Sequence, residues 1–166
     1  MREINLVNST PKLIVTGPPC SIRRATEADA PVIEALYREF VADGDIHVLP
    51  GHIAALAESS TSFLLVAKID DTVYGTALLT LCPDVMYGTQ PFGVIENIVV
   101  TQSRRGGGIG RSLLGQIEQI AAHHDCTKLM LLSDRTRRDA HVFFQRCGFS
   151  GETKRAFVKY RRQFTG

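Results

Sequence analysis

The chain has 166 residues, 44% of them hydrophobic and 22% charged, with a formal net charge of +2. This is the make-up of a single soluble domain able to bury a substantial core. The charge is too small to argue for nucleic acid or membrane as a partner, and no apolar run approaches the length needed to span a bilayer. Cys20, Cys82, Cys126 and Cys147 match no zinc spacing and no disulfide framework. They read as reduced thiols of a cytoplasmic protein. Met1 to Asn8 is not a signal peptide, because Glu3 and Asn5 interrupt it.

Residues 1–20 read as an N-terminal extension with one edge strand at most, broken by Pro11 and Gly17-Pro18-Pro19. A domain over 21–166 follows. Ser21 to Arg24 suits a first strand. Thr26 with Asp29 suits a helix cap, and Pro31 a first helical turn. Ile33, Leu36, Tyr37, Phe40 and Val41 then keep helical spacing. His52 to Ser59 predicts a short second helix. Phe63 to Ala67 predicts a buried strand, Asp70-Asp71 a turn, and the alternation Val73, Gly75, Ala77, Leu79, Leu81 a further strand. A loop over 83–93 leads to a strand over 94–100. A helix over 109–123, a strand over 127–132, a helix over 137–147 and a final strand near 156–160 complete the pattern. Strands alternating with helices in the second half predict an α/β layer fold, and the meander before them a mixed sheet.

The most informative run is Arg104-Arg105-Gly106-Gly107-Gly108-Ile109-Gly110-Arg111-Ser112. It joins an apolar strand to a helix that carries Ile109, Leu113, Leu114, Ile117, Ile120 and Ala121 on one face. A glycine-rich turn at a helix N-terminus offers bare amides and a favourable dipole to a phosphate. The spacing is wrong for a Walker loop, since three residues separate Gly106 from Gly110 and Arg111 follows. The dinucleotide fingerprint also fails, because its third glycine falls on Arg111 or Leu113. What fits is R-x-x-G-x-G, met by Arg105, Gly108 and Gly110. In this run the chain resembles the GNAT N-acetyltransferase superfamily, whose pyrophosphate loop has that pattern. Ala140-His141-Val142-Phe143-Phe144-Gln145-Arg146-Cys147-Gly148-Phe149 is similar to the family's late helix, A-x-x-F-Y-x-x-x-G-F, with Gly148 placed to end it. Ile95 to Val100 and Cys126 to Leu132 look like its fourth and fifth strands. The likeness runs from Ser21 to Tyr160 and is locally strongest to glucosamine-phosphate N-acetyltransferases.

The resemblance implies an α/β (α+β) GNAT fold, with a mixed, mostly antiparallel sheet flanked by helices and with splayed fourth and fifth strands. It implies acetyl-CoA as cosubstrate, no metal, and transfer of an acetyl group to a primary amine of a small molecule. Arg105, Gly106, Gly107, Gly108, Ile109, Gly110, Arg111 and Ser112 would hold the pyrophosphate, the two arginines by charge-assisted bonds. Ile98, Val99 and Val100 would line the pantetheine arm, with the Val99 N–H polarising the thioester carbonyl. Glu96 matches the glutamate of the glucosamine-phosphate enzymes and is the expected base. On a regular strand it shares a face with Ile98, and a carboxylate on a partly buried strand is the better proton acceptor near neutral pH.

The sequence departs from the family where Phe144 replaces the usual tyrosine, the general acid, whose help is worth roughly 10²–10⁴-fold. Three readings stay open. The thiolate leaves unaided, or Cys147, Tyr87 or a histidine takes over, or the protein binds acetyl-CoA and catalyses poorly. Phe144 would still pack on the cofactor. Arg137 stands where the family often has an asparagine that contacts pantetheine. Glu34, Asp43, Asp45, His47, Asp84 and Tyr87 are candidates for the acceptor pocket, with Arg137 or Arg138 for an anionic acceptor. His123-His124 reads as a dipole-favoured pair at a helix C-terminus, not a metal site. The competing functions are a non-catalytic acyl-CoA sensor and a protein N-acetyltransferase. A homodimer through an edge strand or the extension is a further expectation.

Overall fold

A computed structural model describes residues 20–41 and 44–164. Among them, five strands form one sheet in the order β1-β2-β3-β4-β5: β1 (Cys20–Arg24), β2 (Ser62–Ile69), β3 (Thr72–Cys82), β4 (Phe92–Val100) and β5 (Leu129–Leu131). The first four pair antiparallel, and β5 joins β4 in parallel. The mixed, mostly antiparallel sheet expected from the family likeness is therefore present.

Alternation along β2 decides what lies on each face. Phe63, Leu65 and Ala67 enter a large core with Leu79, Ile95 and the apolar stripe of α3 (Ile109–His123), joined by Phe144 of α4 (Arg138–Arg146). Leu64 and Val66 turn the other way, onto Ile33 of α1 (Ala30–Phe40) and Ile53 of α2 (Pro50–Ala57). Helix α3 keeps the bounds that its periodicity gives, because Leu113, Leu114 and Ile117 are all buried. Pro31 stands in the first turn of α1. The Thr26 and Asp29 cap is also present: the Thr26 N–H donates to Asp29 Oδ2 at 2.7 Å. Arg23 adds a two-pronged bond to the same carboxylate, at 2.7 and 2.8 Å. These donors hold the buried Asp29 carboxyl down at about 2.

Three expectations change. Strand β5 spans three residues rather than six; Thr127 and Lys128 still bond to Pro91 and Gly93, but Leu132 is already exposed. No strand forms near 156–160. That segment faces solvent, with Phe157 90% exposed, so it has neither a buried face nor a neighbouring ladder to hold it extended. Of the expected extension, residues 1–19 lie outside the described residues, while Cys20 opens β1.

Candidate active site

The middle of β4 is not a regular strand. Thr76 pairs with Val99 but Leu78 pairs with Glu96, so Asn97 and Ile98 face Ala77 alone. Asn97 takes the left-handed region at φ 52° to make this bulge, a conformation asparagine tolerates better than branched residues. The bulge swaps the faces. Ile95 points into the core under α3, and beyond the bulge Ile98 and Val100 do so. Val99 then turns to the α1 side, 2% exposed. Glu96 therefore lies across from Leu78 on the α1 side, opposite Ile98, not beside it. Glu96 is also exposed rather than partly buried, so the burial expected to sharpen it as a base is missing.

The two neighbouring strands part at Glu96. Strands β4 and β5 pair only at Gly93↔Leu129, Val94↔Met130 and Ile95↔Leu131. At the closed end they touch tightly: a Cβ on Gly93 would come within 2.5 Å of Leu129 Cδ2. From Glu96 onward β4 is paired with β3 alone. The splay expected of the fourth and fifth strands thus begins at Glu96.

The turn after β4 is held by α1. Glu39 accepts the Thr101 hydroxyl at 2.8 Å and, through its other oxygen, a short bond from the Gln102 N–H. The Arg105 guanidinium lies 3.9 Å from the same carboxylate and donates through Nε to the Val100 carbonyl at 3.1 Å. Gly106 and Gly108 then adopt φ of 80° and 88°, and Gly108 is the N-cap of α3. With no side chain at that cap, the first amides of α3 have no intrahelical acceptor and no capping group. A Cβ at either glycine would meet nothing within 4 Å, so the space over the turn is open.

The other loop residues are drawn into the fold. Ile109 is 2% exposed. A Cβ at Gly110 would meet Phe143 at 2.9 Å. Gly107 lies close to the Arg104 carbonyl. The Ser112 hydroxyl donates to the Gly108 carbonyl at 3.3 Å and also bonds Cys20. Arg111 lines a shallow groove between α3 and α4 with Glu118, Arg146 and Cys147. Phe144 is buried in the large core, edge-on to Phe149.

The acceptor candidates are scattered. Glu34 is taken up in the α1–α2 connection: it accepts from the Val48 N–H at 2.9 Å and pairs with Arg38, and these donors pull its carboxyl down. Asp84 closes a local turn onto Val85 and Met86 beside the exposed Tyr87. His47 stands 3.8 Å from Glu34, Asp45 lies in the same connection, and Asp43 is outside the described residues. Arg137 stacks over Phe40 at 4.2 Å, whereas Arg138 lines an open cavity of about 590 Å³ with Asp134, Arg135 and Thr136. Among the described residues no group of histidines, cysteines and carboxylates suits a metal. His123 and His124 end α3 as a ring pair. All four cysteines are free, and burial pushes the thiols of Cys20, Cys126 and Cys147 up.

Two residues near the site escaped sequence reasoning. Glu39 reaches the turn across more than sixty positions, which no local pattern signals. Tyr37, whose hydroxyl burial pushes up, bonds Thr76, the partner of Val99; its helical spacing marked it only as core.

Comparison with known proteins agrees with this arrangement. The model of the acetyltransferase (GNAT) family matches residues 31–149. An aminoglycoside N(6')-acetyltransferase type 1 from Stenotrophomonas maltophilia is 30% identical over 145 residues, covering 86% of this chain and 92% of that protein. A glucosamine 6-phosphate N-acetyltransferase from Trypanosoma brucei brucei is 31% identical over 77 residues, 46% of this chain and half of that one. The crystal structure of glucosamine-6-phosphate N-acetyltransferase from Arabidopsis thaliana superposes with a TM-score of 0.71 at 18% identity, over 86% of this chain and 99% of that chain, a likeness of fold. No helix of the described residues is long and apolar enough to cross a membrane. With its family model matched over residues 31–149 and a relative 30% identical over most of both chains, the chain belongs to the acetyltransferase (GNAT) family.

Proposed function

We propose that this chain moves an acetyl group from acetyl-CoA to a primary amine of a small molecule, with Glu96 as the base. The observation that carries the reading is the open turn Gly106–Gly108 at the uncapped start of α3, at the end of the half of β4 that pairs with β3 alone. The turn fits a diphosphate: nothing occupies the space a Cβ would fill, and the amides and the helix dipole both favour an anion. The backbone of Ile98, Val99 and Val100 would line the pantetheine arm. Val99, however, pairs with Thr76 in step with the Thr101 N–H bonded to Tyr74, so its own N–H faces β3 and is not the donor that polarises the thioester carbonyl.

In the reaction the amine nitrogen attacks the thioester carbon. The new C–N bond replaces the C–S bond, the amine proton passes to Glu96 directly or through water, and the thiolate leaves. Glu96 suits the task by its place at the point where β4 and β5 part, open to an incoming amine. Phe144 has no proton to give. The thiolate leaves to solvent, which a thiol with an ordinary pKa near 8.5 tolerates. The named relatives act on amino sugars, which supports a small polar amine as acceptor.

Thiol release from acetyl-CoA, measured against aminoglycosides, amino-sugar phosphates, polyamines and peptides, tests this. Turnover with one class of small amine is expected. Tight CoA binding with no turnover would favour the sensor, and turnover with peptides alone the protein acetyltransferase.

A further inference from the structure

Glu39 sits in the last turn of α1, yet its carboxylate does its work in the connection between β4 and α3. The short turn Gln102–Arg104 receives no cap from the side chain of its own N-cap, Thr101. Glu39 supplies one from outside: one oxygen takes the Thr101 hydroxyl, the other the Gln102 N–H. The same carboxylate stands 3.9 Å from Arg105, whose Nε is spent on the Val100 carbonyl. Arg105, the residue that opens the R-x-x-G-x-G pattern, is in this arrangement a strut between β4 and α1. The next residue of α1, Phe40, carries the stacked Arg137 from the β5–α4 connection. The end of α1 thus grips both connections that flank the parting of β4 and β5.

We propose that Glu39 is a positioning residue for acetyl-CoA: it fixes the turn over 101–105 so that the amides of Gly106–Gly108 and of the first turn of α3 converge on the diphosphate. This rests on the acetyl-CoA reading above. Arg105 contributes by holding the turn, with its charge partly met by Glu39, and the backbone carries the anion. Loss of the brace then weakens cofactor binding without touching the step in which the amine attacks.

The test compares the full chain with Glu39→Ala and Glu39→Gln. Hydrogen exchange at the Gln102 amide reads the brace, calorimetry with CoA reads affinity, and thermal unfolding reads the fold. For Glu39→Ala we expect the amide to exchange about ten-fold faster and CoA to bind about ten-fold more weakly, the scale of one lost charge-assisted bond. kcat at saturating acetyl-CoA should stay within about two-fold, because the reacting groups are untouched. Glu39→Gln keeps an oxygen for Gln102 but no charge for Arg105, and should fall between. A Glu39→Ala chain that binds CoA like the wild type overturns the proposal alone. So does an affinity loss that tracks a loss of folded protein. A wild-type chain that binds no CoA overturns the acetyl-CoA reading and the proposal with it.

Discussion

A methyl group on Gly110 would sit 2.9 Å from Cζ of Phe143, on the helix that packs beside it. The two glycines of the R-x-x-G-x-G pattern therefore answer different demands. Gly108 frees the backbone to turn, at φ 88°, and Gly110 lets α4 come close to α3.

The contact at Gly110 predicts a fold defect. Gly110→Val should cost about 1–3 kcal/mol, the scale of an overpacked core, read as a lower urea midpoint. An unchanged midpoint would mean that Phe143 simply swings aside.

At Gly108 the loss should be mainly in binding. Gly108→Val pays about 1–2 kcal/mol for a branched residue at positive φ, and its side chain enters the space proposed for the diphosphate. CoA binding by calorimetry should become undetectable while the chain stays folded by circular dichroism. Full affinity would remove the turn from the cofactor site.

Glu96→Gln should lower kcat by about 100-fold or more, the scale of general-base help, with CoA affinity kept. The acidic limb of the pH–rate profile should go with it. Wild-type kinetics would free Glu96 of any role as base.

The bulge at Asn97 can be tested by its backbone. Asn97→Val should cost about 1–2 kcal/mol at φ 52°, whereas Asn97→Gly should stay within about 0.5 kcal/mol. Equal urea midpoints for the two would argue for a regular strand.

Asp29 predicts a pH dependence. Its carboxyl is held at about 2 in the fold against an ordinary 3.8, chiefly by Arg23. A depressed value means stability that is present above the ordinary value and lost as pH falls through the folded one. Asp29→Asn should therefore cost about 2 kcal/mol at neutral pH, and the gap to wild type should close between pH 3.8 and about 2. A gap that persists at pH 2 would point to packing rather than charge.

The sequence is most readable where structure is local. Helix α3, the Thr26–Asp29 cap and the turn Asp70–Asp71 follow from spacing, because each is set by neighbours a few positions apart. Strand β4 is legible as a strand but not as a bulged one: Glu96 and Asn97 interrupt the apolar run from Ile95 to Val100 without saying how, and only pairing with β3 reveals the extra residue. A regular strand would put Glu96 on the face of Ile98, and the bulge puts it on the other. The brace of Glu39 on Gln102 joins groups distant in sequence, so periodicity carries no trace of it. The stretch near 156–160 has the composition of a strand, but a ladder needs a second edge, and composition does not say where that edge is.

Burial of the cysteines acquires a chemical meaning beside the proposed reaction. Each turnover would set free the thiol of CoA close to the surface of this chain, and once an outside oxidant has turned that thiol into a disulfide, a protein thiolate can attack it and form a mixed disulfide. Burial pushes the thiols of Cys20, Cys126 and Cys147 up, which lowers the share of thiolate that this exchange needs. The same packing that closes the core thereby makes these three thiols poor partners for oxidised CoA.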